Sequence, residues 1–166
     1  MTKKSTLRQA SQLIREARQP LLICHVAPDG DALGSVTGLS HALRHAGQSP
    51  IAACPDPVPS GFDYIPGIES VVQEVGDFFD LVIALDCSHP DRLGHFPELP
   101  HFDQHPLVNI DHHVTNVNFG DVNVVDSQAS STSEVVLKLL DELPVDLDEP
   151  VATSLLVGIV TDTRGF

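Results

Sequence analysis

The chain has 166 residues, which is enough for one domain with a sizeable hydrophobic core and short for two. Hydrophobic residues make up 42% of it and charged residues 19%, as is typical of a globular protein and not of a disordered one. A formal net charge of −14 argues against a broad basic surface for nucleic-acid duplexes. No apolar run approaches the ~18 residues of a membrane span, and the first residues do not resemble a signal peptide. We therefore expect a cytoplasmic protein that does not enter a membrane.

Apolar patterns predict alternating helices and strands from the start of the chain. A helical pattern covers residues 5–18, and a short buried strand follows at 21–24. A second helix is expected over 32–46, followed by a strand over 49–53 that three prolines stop. Residues 71–75 are a candidate for another short strand. The order strand, helix, strand is typical of a parallel sheet.

The second half continues the alternation without an internal repeat, a linker or a low-complexity segment. Its most apolar run has no polar interruption, as expected of a strand covered on both faces. We predict one α/β domain with a mostly parallel central sheet and helices on both faces, a Rossmann-like arrangement of three layers. The predicted elements are strands over 80–85, 107–110 and 122–125, and helices over 130–143 and 149–163.

The segment after the first strand carries one imidazole and two carboxylates within seven residues. His25 leaves the strand, and Asp29 and Asp31 lie two residues apart in a turn that contains Pro28 and Gly30. Such a mixed oxygen and imidazole set suits a divalent cation. The structural alternative is an ordinary turn at Asp29, an N-cap at Asp31 and a hydrogen-bonded strand end at His25.

Two later buried strands also end in potential ligands. Asp86 follows the first of them, and Asp111, His112 and His113 follow the second. In parallel sheets the ligand crevice lies beyond the carboxyl ends of the strands, so Asp86 belongs to the same rim as His25. Adjacent side chains of an extended segment point to opposite sides, so His112 and His113 should differ in role. One can bind a metal while the other faces the substrate.

The last predicted helix places a carboxylate, Asp162, on the face expected to be buried. A buried unpaired carboxylate is costly, so Asp162 is either a metal ligand or the polar end of the apolar stripe. Together with Asp29, Asp31 and Asp86 it supplies four negative charges, which two divalent cations would neutralise, while His25 and His112 add neutral ligands. Two such cations suit the hydrolysis of a phosphate ester or anhydride.

Positively charged side chains are scarce in the later part of the chain, where the only lysines and arginines after residue 44 are Arg92, Lys138 and Arg164. A phosphate site built there would take its positive charge mostly from bound metal. Arg92 is a candidate phosphate contact, and the alternative for it is an exposed loop charge. Three cysteines without paired spacing indicate neither a disulfide framework nor a structural zinc site.

Together these motifs resemble the DHH phosphoesterase superfamily, the RecJ-like enzymes named for the triplet Asp111-His112-His113. The segments HVAPDGDALGS, ALDCS, NIDHH and GIVTDTRGF occur in the family's order and cover essentially the whole chain. Within the superfamily, DGDALGS, ASSTSEVV at 129–136 and GIVTDTRGF are most similar to the branch of bifunctional oligoribonucleases and 3′-phosphoadenosine-5′-phosphate (PAP) phosphatases.

The resemblance implies a role for each motif residue. Asp86 would bridge two Mn²⁺ ions, and Mg²⁺ or Co²⁺ are also compatible with such ligands. His113 would contact the scissile phosphate or protonate the leaving group, and Asp111 would orient a neighbouring histidine, so that Asp86, Asp111 and His113 are the catalytic candidates. The implied ligands are His25, Asp29 and Asp86 for one ion, and Asp31, Asp86, His112 and Asp162 for the other.

The resemblance also implies an activity. Relatives of this kind cut short RNA or DNA oligonucleotides from an end to release mononucleotides, and some convert PAP to AMP by two-metal hydrolysis. The expected substrates are therefore short single-stranded oligonucleotides or a nucleotide bisphosphate. A homodimer is one candidate assembly.

The chain departs from the family in one respect. The family has a second, C-terminal domain with a glycine-rich motif that grips the nucleotide, whereas this chain stops at Phe166, just after the fourth motif. We therefore expect residues 1–166 to be the DHH catalytic domain alone, with metal binding retained and turnover impaired. Two alternatives are an enzyme like the manganese inorganic pyrophosphatases, whose similar site typically has Thr in place of Gly30, and a noncatalytic metal or nucleotide sensor.

Overall fold

The computed structural model describes residues 3–165, with side chains from residue 6 onward. Helices and strands alternate along these residues. The α-helices are α1 (Lys3–Glu16), α2 (Gly30–His45), α3 (Thr132–Leu140) and α4 (Glu149–Asp162). The strands are β1 (Pro20–Ile23), β2 (Ile51–Ala53), β3 (Leu81–Leu85), β4 (Leu107–Asp111) and β5 (Val122–Val125). Short 3₁₀ helices lie at Ile68–Ser70, Pro90–Leu93, Phe96–Glu98 and Phe102–Gln104.

Polar side chains fix where three of the helices begin. Asp29 caps α2 by accepting from the amides of Asp31 and Ala32, each at 3.1 Å. Ser131 caps α3, and Asp148 caps α4. Each cap satisfies amides that have no partner within the helix. The cap of α2 is therefore Asp29, and the structural alternative that placed Asp31 there is wrong.

The strands form one parallel sheet in the order β2-β1-β3-β4-β5. The register pairs Leu22 of β1 with Ala52 and Ile83 on its two sides, and Ile83 in turn with Val108. The buried strands β1 and β3 are apolar throughout, as strands covered on both faces must be. The predicted α/β class with a parallel sheet is confirmed.

The two faces of the sheet are covered differently. Buried side chains of all four α-helices pack against one face, where the core includes Leu22 and Ile83. On the other face, the 3₁₀ segments supply Leu93 and Phe96, which pack with Val82 and its neighbours. The outer layers are therefore α-helices with the 3₁₀ helix Ile68–Ser70 on one side, and the three later 3₁₀ helices on the other.

Close contact between α2 and α4 sets the position of the end of α4. A methyl group at Gly34 would overlap the Ser154 carbonyl oxygen, and one at Gly30 would overlap the side chain of Thr161. Only glycine allows backbones to approach in this way. The contact brings Thr161 and the following Asp162 over the first turn of α2.

Two predicted elements differ from the structure. Residues 71–75 do not form a strand, since Val72 makes only an isolated bridge with Ala53. The helix predicted over 130–143 spans only Thr132–Leu140, because the residues after it form turns. None of the helices in the described part of the chain is both long and apolar enough to cross a membrane.

Candidate metal centre

The candidate site lies at the carboxyl ends of β1, β3 and β4. The connection after β1 runs to β2 and the connection after β3 runs the opposite way to β4, so a crevice opens between β1 and β3. His25 follows β1 and Asp86 follows β3, so both lie at this crevice. Asp86 has a φ of 60°, in the left-handed region that costs a non-glycine residue ~1 kcal/mol or more. The chain thus leaves the sheet sharply at a site residue.

The first ligand cluster consists of His25, Asp29 and Asp86. The Nε2 atom of His25 lies 3.3 Å from Asp86 Oδ2 and 3.8 Å from Asp29 Oδ1. The Nδ1 atom of the same ring lies 2.7 Å from the Val26 carbonyl oxygen. A proton on Nδ1 satisfies that carbonyl and leaves the Nε2 lone pair for a cation. The three ligand atoms lie within 4.8 Å of one another.

The second ligand cluster consists of Asp31, His112 and Asp162, with Asp86 beside it. His112 Nε2 lies 3.4 Å from Asp162 Oδ2, 3.9 Å from Asp86 Oδ1 and 4.0 Å from Asp31 Oδ2. This nitrogen is buried and has no hydrogen-bond partner among the described residues. The Asp162 side chain is 32% exposed, so the expectation that it lies on a buried face is wrong. It reaches the site from the end of α4.

Asp86 belongs to both clusters. Its Oδ2 faces His25, while its Oδ1 faces His112 and lies 3.5 Å from His113 Nδ1. The carboxylate is 2% exposed, and the Thr132 hydroxyl donates to Oδ1 at 2.7 Å. One buried carboxylate therefore faces two sets of potential ligands.

The crowded charges shift the acid–base behaviour of these groups. Burial disfavours the charged form of His25, but the carboxylates of Asp29 and Asp86 outweigh burial and raise its pKa to about 10. In return His25 lowers the pKa of Asp29 to about 2. Burial, and then the charge of Asp86, raises the pKa of Asp31 to about 6. Burial also raises the pKa of Asp162. A cation among these oxygens would relieve the repulsion between them.

Asp111 organises the segment that carries both histidines. Its Oδ1 accepts from the amide of His112 at 2.8 Å and lies 2.7 Å from His113 Nδ1. Its Oδ2 accepts from the Asn116 side-chain amide at 2.6 Å. The hydrogen bond with Asp111 raises the pKa of His113. Asp111 therefore contacts His113 and lies away from the two ligand clusters.

The two histidines differ in their contacts, although they do not point to opposite sides. Their ring centroids are 4.5 Å apart, because the chain leaves the sheet at the end of β4. His112 Nε2 lies among carboxylates of both clusters, whereas His113 is held by Asp111 and has a side chain that is 44% exposed.

Arg92 lies at the edge of the crevice. It belongs to the 3₁₀ helix Pro90–Leu93, and its carbonyl oxygen accepts from the amide of Val26, next to His25. Its side chain makes no ion pair with a carboxylate among residues 6–165. The structure therefore places Arg92 near the candidate site without assigning it a contact.

Sequence reasoning missed the residues that support the ligands. Asp31 accepts from the α3 amides of Thr132 at 2.6 Å and Ser133 at 2.9 Å. Asn116 donates to Asp111, as described above, and also to Asn109 Oδ1 at 2.7 Å. The sequence predicted a helix that begins at residue 130, but nothing in it indicated that the start of this helix would bind a carboxylate 101 residues earlier in the chain.

The donor set fits divalent cations. Carboxylate oxygens and imidazole nitrogens are the ligands that Mn²⁺ and Mg²⁺ accept in proteins. The buried Nε2 of His112 has three carboxylates at 3.4 to 4.0 Å and no hydrogen-bond partner in the described part of the chain, and such a nitrogen is poorly accommodated without a cation. The arrangement can therefore hold metal between its histidines and aspartates.

Comparison with known proteins agrees with the motifs. The family model described as DHH family, N-terminal domain, matches residues 20–159. The bifunctional oligoribonuclease and PAP phosphatase NrnA of Thermus thermophilus is 32% identical over 166 aligned residues, which cover 96% of this chain and 48% of that protein.

Two solved structures share the fold. The crystal structure of an exopolyphosphatase-related protein from Bacteroides fragilis superimposes with a TM-score of 0.91 at 26% identity and covers 100% of this chain and 53% of its own. Exonuclease RecJ bound to manganese has a TM-score of 0.60 at 16% identity, covering 95% of this chain and 43% of its own, and shows a common fold alone.

The chain spans about half the length of the curated relatives it matches. The family model nevertheless covers most of the chain, including the residues that follow β1, β3 and β4. The chain belongs to the DHH family.

Proposed function

We propose that this chain is the metal-binding catalytic part of a phosphoesterase. With two divalent cations, Mn²⁺ first among them, it hydrolyses short oligonucleotides to mononucleotides, or PAP to AMP. One observation carries the proposal, namely that the buried carboxylate of Asp86 faces a different ligand cluster with each of its oxygens. A shared carboxylate can bridge a pair of closely spaced cations and neutralise part of their charge.

The residues that would hold the cations are those of the two clusters. One ion would take His25, Asp29 and Asp86, and the other would take Asp31, Asp86, His112 and Asp162. When bound, such ions lower the pKa of water and stabilise charge on phosphoryl oxygens. RecJ, which shares the fold, was crystallised with manganese.

His113 is suited to proton transfer. Asp111 accepts a hydrogen bond from its Nδ1, which fixes the ring and leaves Nε2–H as a donor. The same contact raises the pKa of His113, which favours the protonated ring that a proton donor needs. His113 would donate that proton to the departing ribose oxygen or contact the scissile phosphate, while Asp111 holds its orientation.

The substrate class follows from the relatives. NrnA of Thermus thermophilus is described as a bifunctional oligoribonuclease and PAP phosphatase. Both substrates are nucleotide phosphate esters, and Arg92 at the crevice edge is our candidate contact for a further phosphate. A nucleotide-gripping C-terminal domain and a homodimer stay predictions.

The principal enzymatic alternative is an inorganic pyrophosphatase, whose similar site typically has Thr at the position of Gly30, and this chain departs from that pattern. A side chain at position 30 would overlap Thr161, which occupies that space in this structure. The other alternative, a noncatalytic sensor, predicts bound metal and ligand without turnover.

The test compares the chain with Asp86→Asn, which keeps the shape of the side chain and removes its charge. Hydrolysis of a 5′-labelled RNA trinucleotide, PAP and pyrophosphate is measured with Mn²⁺, together with the number of Mn²⁺ ions bound. We expect two ions and nucleotide-ester hydrolysis for the parent chain, and at least ~100-fold lower activity for the variant. Asp103→Asn is the matched control, because Asp103 is exposed, belongs to neither cluster and precedes the start of β4, whereas the clusters lie beyond the strand ends.

Three results would contradict the proposal. A parent chain that binds no Mn²⁺ refutes the metal centre. Hydrolysis of pyrophosphate alone favours the pyrophosphatase alternative. Full activity in Asp86→Asn excludes the shared carboxylate as a participant.

A further inference from the structure

Thr132, the first residue of α3, is fully buried and contacts two carboxylates of the candidate metal centre at once. Its amide donates to Asp31 Oδ2 at 2.6 Å, and its hydroxyl donates to Asp86 Oδ1 at 2.7 Å. The hydroxyl contact is shorter than the distance from Asp86 to any neighbouring histidine, which is 3.3 Å or more. Thr132 therefore links two ligands that the sequence separates by 55 positions, 31 and 86.

The first amides of α3 explain how Asp31 is held. The amides of Thr132 and Ser133 donate to different oxygens of Asp31, and the third, of Glu134, is satisfied by the Ser131 hydroxyl. A carboxylate at a helix N-terminus accepts amides that lack helical partners and is favoured by the helix dipole. Asp31 is thus fixed by protein groups alone and needs no cation to adopt its orientation.

The hydroxyl of Thr132 extends the same control to Asp86. Asp86 Oδ1 is the oxygen that faces the second cluster, whereas Oδ2 faces His25 in the first. A donor on Oδ1 fixes how the carboxylate is rotated and which lone pair remains for a ligand. The two carboxylates would otherwise repel each other in a buried site.

We propose that Thr132 is a positioning residue that sets the relative orientation of Asp31 and Asp86, and through it the affinity of the second cluster for its cation. This inference rests on the proposed two-metal function. Since Thr132 donates to Asp31 and to the Oδ1 side of Asp86, its effect falls on the cluster with His112 and Asp162 more than on that with His25 and Asp29.

The test is a titration of the metal-free chain with Mn²⁺, with free Mn²⁺ followed by electron paramagnetic resonance. Thr132→Val keeps the β-branched shape and the amide but loses the hydroxyl, and we expect a loss of ~10–100-fold in affinity for one of the two ions. Thr132→Ser, which restores a hydroxyl, should return the affinity to within about threefold of the parent value. Thr37→Val is the matched control, because Thr37 is also a buried threonine but donates to helix carbonyls.

Variants that weaken one cluster at a time locate the effect. In an Asp162→Asn background, where the second cluster is weakened, Thr132→Val should change the affinity of the remaining ion by less than about threefold. In an Asp29→Asn background the ~10–100-fold loss should persist. Thermal unfolding of the metal-free variants shows whether each one folds. If Thr132→Val does not fold, Thr132→Ala serves as the second hydroxyl deletion.

The possible failures are distinguishable. A parent chain that binds no Mn²⁺ refutes the proposed function. A parent chain that binds two ions, with Thr132→Val equal to it for both, overturns only the role of Thr132. Equal weakening of both ions, or failure of Thr132→Ser to restore affinity, would also overturn it.

Discussion

Replacing Gly158 by alanine has two opposing effects on the stability of the fold. Gly158 lies within α4, where replacement of glycine by alanine stabilises an exposed helix by ~1 kcal/mol. Here, however, a methyl group would lie 2.7 Å from Asp31 Oδ1 and would overlap the Ser133 hydroxyl. The Ser133 hydroxyl can rotate away, but the Ser133 Cβ, 2.8 Å from the added methyl, is fixed by the backbone of α3, and α3 amides hold Asp31.

We expect packing to outweigh helix propensity. Overpacking a rigid site costs ~1–3 kcal/mol, and the upper end applies where both neighbours are fixed. Subtracting the propensity gain leaves a destabilisation of ~2 kcal/mol for Gly158→Ala, which for a domain of this size lowers the melting temperature by ~4–8 °C. Because α4 must shift, Asp162 moves with it, and Mn²⁺ affinity should fall as well.

The assay is thermal and urea unfolding of the metal-free chain, so that metal binding does not contribute. Gly76→Ala is the control, since nothing lies within 4 Å of a methyl group there, and it should change stability by less than ~0.5 kcal/mol. Adding Ser133→Ala to Gly158→Ala removes one overlap and should restore part of the loss. A Gly158→Ala variant more stable than the parent would refute the packing argument.

Four further predictions concern charge and hydrogen bonding. Mn²⁺ binding at pH 7 should release about one proton, because His25, with a pKa of about 10, must become neutral to bind the ion. Calorimetry in buffers of different ionisation enthalpy measures the number of protons released, and a value of zero would contradict this prediction. The same raised pKa means that protonated His25 stabilises the metal-free fold, and this contribution is complete below pH 6.5. Urea unfolding at a series of pH values should show the contribution being lost as the pH rises through about 10, by up to ~1.4 kcal/mol per pH unit. Asn116→Ala should cost ~1–3 kcal/mol in urea unfolding, since buried Asp111 loses a donor, whereas exposed Gln128→Ala should cost nothing measurable. Arg92→Ala should raise KM for PAP with little change in kcat, and an equal fall in kcat would instead indicate a contact made in the transition state.

The parts of the site that lie at strand ends could be predicted from the sequence. The apolar runs of β1, β3 and β4 are unambiguous, and parallel strands end at one edge of a sheet, so His25, Asp86 and His112 had to lie close together. The prediction needed no knowledge of how the helices pack. Fold class follows from the same alternation.

The parts that depend on packing between helices could not be predicted. The sequence around Thr132 indicates only the start of a helix. The tertiary structure shows that its amide donates to Asp31 and its hydroxyl to Asp86. The predicted burial of Asp162 failed because α4 is apolar on most sides, with Leu156 54% exposed, so periodicity does not define one buried face.

The contact between Gly30 and Thr161 bears on which chemistry the site serves. Both residues flank ligands, since Gly30 lies between Asp29 and Asp31, and Thr161 precedes Asp162. The absence of a side chain at position 30 lets α4 approach until Thr161 fills that space, which places Asp162 within 3.4 Å of His112. A threonine at position 30 would need a smaller residue at 161 or a more distant α4. A side chain at position 30 therefore requires a change at position 161 or in the placement of α4, and in this chain Gly30 and Thr161 together let the end of α4 lie directly over the metal ligands.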